Sequence, residues 1–224
     1  MSSPKYPRTP HFPFSPGGTN DDRWIESVEG FLCTDVVLTE KMDGSNVCLE
    51  TSACYARTHA SRPRGESFSA FKALHATVSR RIPEGTQVFA EWLYAKHSIK
   101  YEALPSYLLV FGVRDLRTMQ WASWSEVELW AEELGVSTTP VLARETWLNR
   151  DWKIRELVES HTRMPSRCGG LCEGAVLRLA GSFSDVNFEA SVAKWVRKGH
   201  VQTDEHWSTQ PIVRNGLIGS PRAP

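Results

Sequence analysis

The chain has no excess charge of either sign: 26 lysines and arginines match 26 aspartates and glutamates over 224 residues. That balance excludes a surface-wide field for polyanions, so any contact with nucleic acid has to be local. Cysteine is scarce, and its count of five is odd. With no secretory context, a disulfide framework is not expected. Cys168 and Cys172 have no companion Cys/His pair at zinc-finger spacing and read as ordinary thiols. No apolar stretch is long enough to span a bilayer, and no internal repeat is visible. These absences predict a reduced, intracellular, cytoplasmic protein without a membrane segment.

Aromatics are plentiful. Nine tryptophans and nine phenylalanines can fill the core of one large domain. The expected division is a Pro-rich strap over 1–23, a single folded domain over 24–207 and a flexible tail over 208–224. In the strap, Pro4, Pro7, Pro10, Pro13 and Pro16 recur with the period of a polyproline II helix. Tyr6, Thr9, Phe12 and Ser15 would share another edge of it, and the strap is expected to pack on the domain through its aromatic residues. Asp21–Gly30 reads as a short helix.

Alternating apolar runs at Asp35–Thr39 and Val47–Thr51 read as strands that meet at the turn Glu40-Lys41-Met42-Asp43-Gly44-Ser45-Asn46. Here an amine stands beside a carboxylate, with a glycine that allows close approach of the backbone. Taken alone, the string reads first as a Lys–Asp surface pair at a hairpin. As a nucleophile, Lys41 would need a second cation or desolvation to lower its pKa, and Lys194 is the candidate cation. Further strands are expected at Cys54–His59, Gln87–Leu93, Tyr107–Val113 and Glu173–Arg178, with a last run over Ser191–His200. Arg62 and Arg64 lie in a basic loop that could meet phosphates. Helices are expected over Ser67–Arg81, over Ser123–Gly135 with a Ser123/Glu126 capping box, and over Asp151–His161. Glu91 lies inside an apolar run and needs a partner such as a sugar hydroxyl, a metal or an arginine. Strands outnumber helices without regular alternation, which predicts an α+β domain of mainly antiparallel sheets with flanking helices.

Taken in order, Lys41-Met42-Asp43-Gly44, Arg57-Thr58, Ala90-Glu91-Trp92, Val110-Phe111-Gly112-Val113, Glu173-Gly174-Ala175-Val176 and Lys194 resemble the motifs of the covalent nucleotidyltransferases. Within that group the chain resembles the ATP-dependent RNA ligases typified by phage T4 RNA ligase 2, over about Thr39 to His200. The resemblance implies an adenylyltransferase domain that joins 5′-phosphate and 3′-hydroxyl ends through a lysyl-AMP, with ATP and Mg2+ or Mn2+ as cofactors. It implies catalytic roles for Lys41, Glu173 and Lys194, and nucleotide binding by Glu40, Lys41, Arg57, Glu91, Phe111, Glu173, Lys194 and Arg197. Phe111 would stack on adenine, Glu91 would hold the ribose, and Glu173 would hold the metal. The implied partners are RNA ends or a nicked duplex, and an accessory protein in place of the C-terminal domain that related ligases carry after the position of His200. The sequence departs from the motif pattern at Val196, where a basic residue is usual; Arg197 follows it. A GTP-using capping guanylyltransferase, a DNA ligase and a non-catalytic module that binds nucleotides or RNA ends stay open beside this reading.

Overall fold

The structure is a computed structural model that describes residues 3–57, 65–199 and 212–219. Thr58, His59, Arg62, Arg64 and His200 lie outside the described residues. In chain order the strands are β1 (Val36–Lys41), β2 (Ser45–Leu49), β3 (Cys54–Ala56), β4 (Thr86–Trp92), β5 (Leu108–Asp115), β6 (Gln120–Trp121), β7 (Ser137–Thr138), β8 (Val141–Glu145), β9 (Gly174–Leu179), β10 (Phe183–Ser184) and β11 (Val192–Val196). The helices are α1 (Glu66–Val78), α2 (Trp124–Leu134), α3 (Asp151–Thr162) and the single turn α4 (Phe188–Ser191).

Two sheets carry the fold. One is four-stranded, in the order β11-β9-β1-β8; the other runs β10-β6-β5-β4-β2-β3, with β7 added beside β5. Every pairing between these strands is antiparallel except β5 with β7, as an α+β domain of mainly antiparallel sheets requires.

Strand alternation builds the layers. On β1, Val36 and Leu38 join Ile154 and Val158 of α3 in one core, whereas Val37 joins the core that α1 and α2 make with the larger sheet. Between the sheets, Cys48, Phe89, Trp121, Phe183, Phe188 and Val192 form a third cluster that borders a cleft. The α2 helix begins with the expected capping box: Ser123 and Glu126 exchange hydrogen bonds, and Gly135 ends it with a left-handed φ of 69°.

Two expectations are corrected. Asp21–Gly30 is not a helix; only a 3-10 turn over Glu29–Phe31 forms. The backbone of this stretch is committed elsewhere, since His11 N–H donates to Arg23 O at 2.7 Å and Ile25 N–H donates to His11 O at 2.9 Å. The second correction concerns the tail, of which residues 212–219 are docked. Asn215 is 3% exposed, accepts the Tyr101 amide at 2.9 Å and donates to Leu93 O at 2.8 Å. One buried amide side chain thus ties the tail to the loop after β4 by satisfying backbone groups that burial would otherwise orphan.

The N-terminal segment packs on the domain through its aromatic residues. Phe12 and Ser15 are buried, and the Tyr6 ring packs on Phe89, Phe111, Trp121 and Phe188. Its backbone also runs beside β11: Phe12 N–H donates to Lys194 O, and Lys194 N–H to Pro10 O, both at 2.9 Å.

Candidate active site

The register of the four-stranded sheet assembles the site. Lys41, the last residue of β1, stands opposite Gly174 of β9, so Glu173 comes beside its side chain; Lys194 of β11 stands opposite Val176. Lys41 Nζ donates to both oxygens of Glu173 at 2.7 Å. The pair is enclosed, with side chains 27% and 6% exposed. From the other sheet come Glu91 on β4, Phe111 on β5 and Arg57 just after β3. These three, with Lys41 and Lys194, line a cavity of about 550 Å³ between the sheets.

Two glycines make the close approaches possible. A Cβ on Gly174 would lie 2.0 Å from Trp195 O of the neighbouring strand. One on Gly44 would lie 2.7 Å from Leu93 Cδ2 and 2.8 Å from Trp92 O. The glycine of the lysine turn is thus demanded by β4. Phe111 is aimed by a β-bulge: the register steps from Phe89↔Gly112 to Ala90↔Val110, which leaves Phe111 as the extra residue.

The electrostatics differ from the expectation in one respect. Lys41 was expected to have its pKa lowered by Lys194. Burial does push the amine down, but the carboxylates, Glu173 foremost, outweigh it and raise the pKa. In this state Glu173 keeps Lys41 as an ammonium ion. Glu91 is pushed up to about 8 by burial, against the opposing pull of Lys41, so at neutral pH it is largely a neutral acid that can both donate and accept. Lys194 is lowered by burial and by Lys41, while Asp22 opposes the shift.

Asp43 is not the partner of the Lys41 amine. Its carboxylate accepts the amides of Ser98 and Ile99, each at 2.7 Å, and its own amide donates to Tyr101 Oη at 2.8 Å. The stretch Ala95–Ile99 is therefore the support on which the lysine turn rests. Glu40 is 1% exposed, and its carboxylate accepts the Arg167 amide at 3.0 Å; burial raises its pKa. It lines the cavity; Oε2 holds the loop that leads towards Glu173, while the buried Oε1 has no hydrogen-bond partner among the described residues. Arg197 is not brought into the cavity lining. It falls beyond the end of β11, and its amide donates to Glu173 O at 3.0 Å.

Sequence reasoning missed Arg178, which is 4% exposed, lines the cavity and donates to Ala122 O at 2.6 Å; burial lowers it to about 10. Nothing in its strand alternation marks it, although a buried arginine among aromatic rings is rare enough to question. It missed Asp22 as well, which reaches the Lys194 amine at 3.5 Å. Cys168 and Cys172 are buried, each with its thiol pushed up to about 12 by burial.

Among the described residues, no three His, Cys, Asp or Glu side chains are grouped as a metal site. A divalent ion would rest on Glu173 together with phosphate oxygens and water. Both oxygens of Glu173 accept from the Lys41 amine, so this carboxylate could hold a hydrated magnesium ion only once that pair opens.

The RNA ligase family model matches residues 34–196. The chain belongs to the RNA ligase family. No curated protein matches it. Among solved structures it is similar to a mutant of the Naegleria gruberi RNA ligase with ATP and Mn, at 13% identity and TM-score 0.54, over 78% of this chain and 53% of that one. The same enzyme with PPi matches at 15% identity and TM-score 0.53, over 76% and 51%. Another of its mutants with ATP and Mn matches at 15% and TM-score 0.52, over 83% and 62%. The chain therefore shares the nucleotidyltransferase-type fold of these structures, and it spans about half of their length. Among the described residues no helix is long and apolar enough to cross a membrane.

Proposed function

We propose that this member of the RNA ligase family carries the adenylyl-transfer chemistry of an ATP-dependent ligase that joins RNA 5′-phosphate and 3′-hydroxyl ends. The observation that carries the reading is the enclosed Lys41–Glu173 pair, 2.7 Å apart, at a cavity that also presents Lys194, Arg57, Glu91 and Phe111. Lys41 Nζ, its ammonium proton released to water, attacks the α-phosphorus of ATP; an N–P bond forms, the bond to pyrophosphate breaks with pyrophosphate leaving, and a second proton passes from the nitrogen to water. The Lys194 ammonium neutralises charge on the α-phosphate. Phe111 stacks on the base, and Glu91 hydrogen-bonds the ribose hydroxyls. Arg57 receives the terminal phosphate of the RNA, to which AMP passes before the 3′-hydroxyl displaces it.

The raised pKa of Lys41 gives Glu173 a gating role. While the carboxylate pairs with Nζ it holds the amine as an ammonium ion; once Glu173 is drawn off, burial pushes the pKa down against the weaker pull of Glu91 and Asp43. Bound at Glu173, magnesium would supply charge neutralisation for the phosphates. The matched structures contain roughly as much chain again, and RNA engagement by an accessory protein or a further segment belongs to this reading.

Incubation with labelled ATP and magnesium, followed by a chase with 5′-phosphorylated RNA and DNA nicks, tests the proposal. Label should enter the protein from ATP and not from GTP, and should leave it on the chase with RNA. Labelling from GTP alone would instead identify capping-type chemistry. Binding of ATP without labelling would identify a non-catalytic module.

A further inference from the structure

The family match begins at residue 34, yet the charge partner of Lys194 lies before it. Asp22 Oδ1 is 3.5 Å from Lys194 Nζ, with the two side chains 28% and 20% exposed. Asp22 is itself anchored. It accepts the Thr19 amide and the Thr19 hydroxyl, both at 3.1 Å, and its Oδ2 stands 3.5 Å from His11 Nε2. His11 is 2% exposed, with Nδ1 2.8 Å from Ser15 Oγ; the same oxygen accepts the Val196 amide at 2.9 Å. The chain of contacts therefore leaves β11 at Lys194 and returns to it two residues later, through the strap alone.

The strap is held rigidly enough for this role. Its backbone bonds to both the carbonyl and the amide of Lys194, and Gly17 N–H donates to Val196 O at 2.9 Å. A Cβ on Gly17 would lie 2.4 Å from Arg197 O, and one on Gly18 would lie 2.4 Å from the Trp24 ring. Such fits leave little freedom for the segment that presents Asp22.

We propose that Asp22, oriented by His11, Ser15 and Thr19, is a positioning residue that fixes the Lys194 ammonium at the nucleotide cavity. The strap is then a working part of the site. Lys194 is a long side chain facing two other cations, Lys41 and Arg57, and on its own it would turn away from them. Asp22 is the acidic group whose attraction opposes their repulsion. A cation already placed where charge develops costs no reorganisation when the phosphate reacts. The inference rests on the adenylyl-transfer reading, in which Lys194 meets the α-phosphate.

Single-turnover lysyl-adenylate formation in wild type, Asp22→Asn and Asp22→Glu tests it, with thermal unfolding of each. Asp22→Asn should slow the step at saturating ATP on the order of tenfold or more, the scale of a misplaced catalytic group. Half-saturating ATP and the unfolding temperature should change little, and Asp22→Glu should recover part of the rate. A wild-type rate in Asp22→Asn would overturn the proposal. So would a loss that follows the unfolding temperature, or one that glutamate and asparagine share equally. If the wild-type protein takes no label from ATP, the functional reading itself falls and this inference with it; a labelled wild type with an indifferent Asp22 leaves that reading standing.

Discussion

Replacing Glu91 by glutamine should stabilise the protein at and above neutral pH, because the fold holds this carboxyl away from water. Burial carries Glu91 from 4.5 in the unfolded chain to about 8 in the fold. Between those values the folded protein keeps a proton that the unfolded chain releases, so stability falls as pH rises through the window and levels above about 8. At about 1.36 kcal/mol per unit, the full shift sets an upper bound of about 5 kcal/mol. Glu91 is only partly buried by area and lies near the Lys41 amine, and water that reaches it screens part of the cost, so about 2 kcal/mol is expected. For a domain of this size that is roughly 4–8 °C in unfolding temperature. The assay is thermal unfolding of wild type and Glu91→Gln at pH 5, 7 and 9. The variant should come closest to wild type at pH 5, exceed it clearly at pH 7 and hold its full advantage at pH 9. A difference that does not change with pH, or a wild type that gains on the variant, would refute the reasoning. Because glutamine also donates and accepts, Glu91→Gln should retain more adenylyl transfer than Glu91→Ala.

Three other substitutions probe the support of the site. Tyr101→Phe removes the acceptor of the Asp43 amide and should cost about 1–2 kcal/mol in urea unfolding while slowing label transfer from ATP; an unchanged midpoint would place that amide elsewhere. In Gly174→Ala the new Cβ meets Trp195 O, so β9 and β11 must separate. A loss of about 3 kcal/mol is expected, together with loss of labelling. Arg57→Ala should still accept label from ATP but seal a nicked RNA slowly, and a normal sealing rate would remove Arg57 from the site.

Much of the frame was legible because periodicity reports which face of an element is apolar. The capping box at Ser123, the helices α1 to α3 and the strands that carry Glu91 and Phe111 all follow from it, whereas Lys41, expected in a turn after Thr39, ends β1 itself, and β1 and β2 belong to different sheets. Periodicity does not report which side chains meet across the fold. The Asp22–Lys194 contact spans most of the chain, and its distance depends on how the strap is laid along β11. The partner of Asp43 was misread for a related reason: adjacency in sequence suggested Lys41, whereas the backbone amides of a later loop claim the carboxylate. Docking of residues 212–219 combines the buried Asn215 side chain with backbone hydrogen bonds to Tyr94, Lys96, Tyr101 and Leu104, pairings across the fold that the short run itself does not announce. The bulge that aims Phe111 is a property of pairing between β4 and β5 and has no signature in either strand alone.

The central claim concerns one nitrogen. Incubation of the protein with ATP and magnesium, followed by mass spectrometry of its peptides, should find AMP on Lys41 and on no other lysine, and Lys41→Ala should fold normally but carry none. AMP on a different residue, or full labelling of the folded Lys41→Ala variant, would contradict the account.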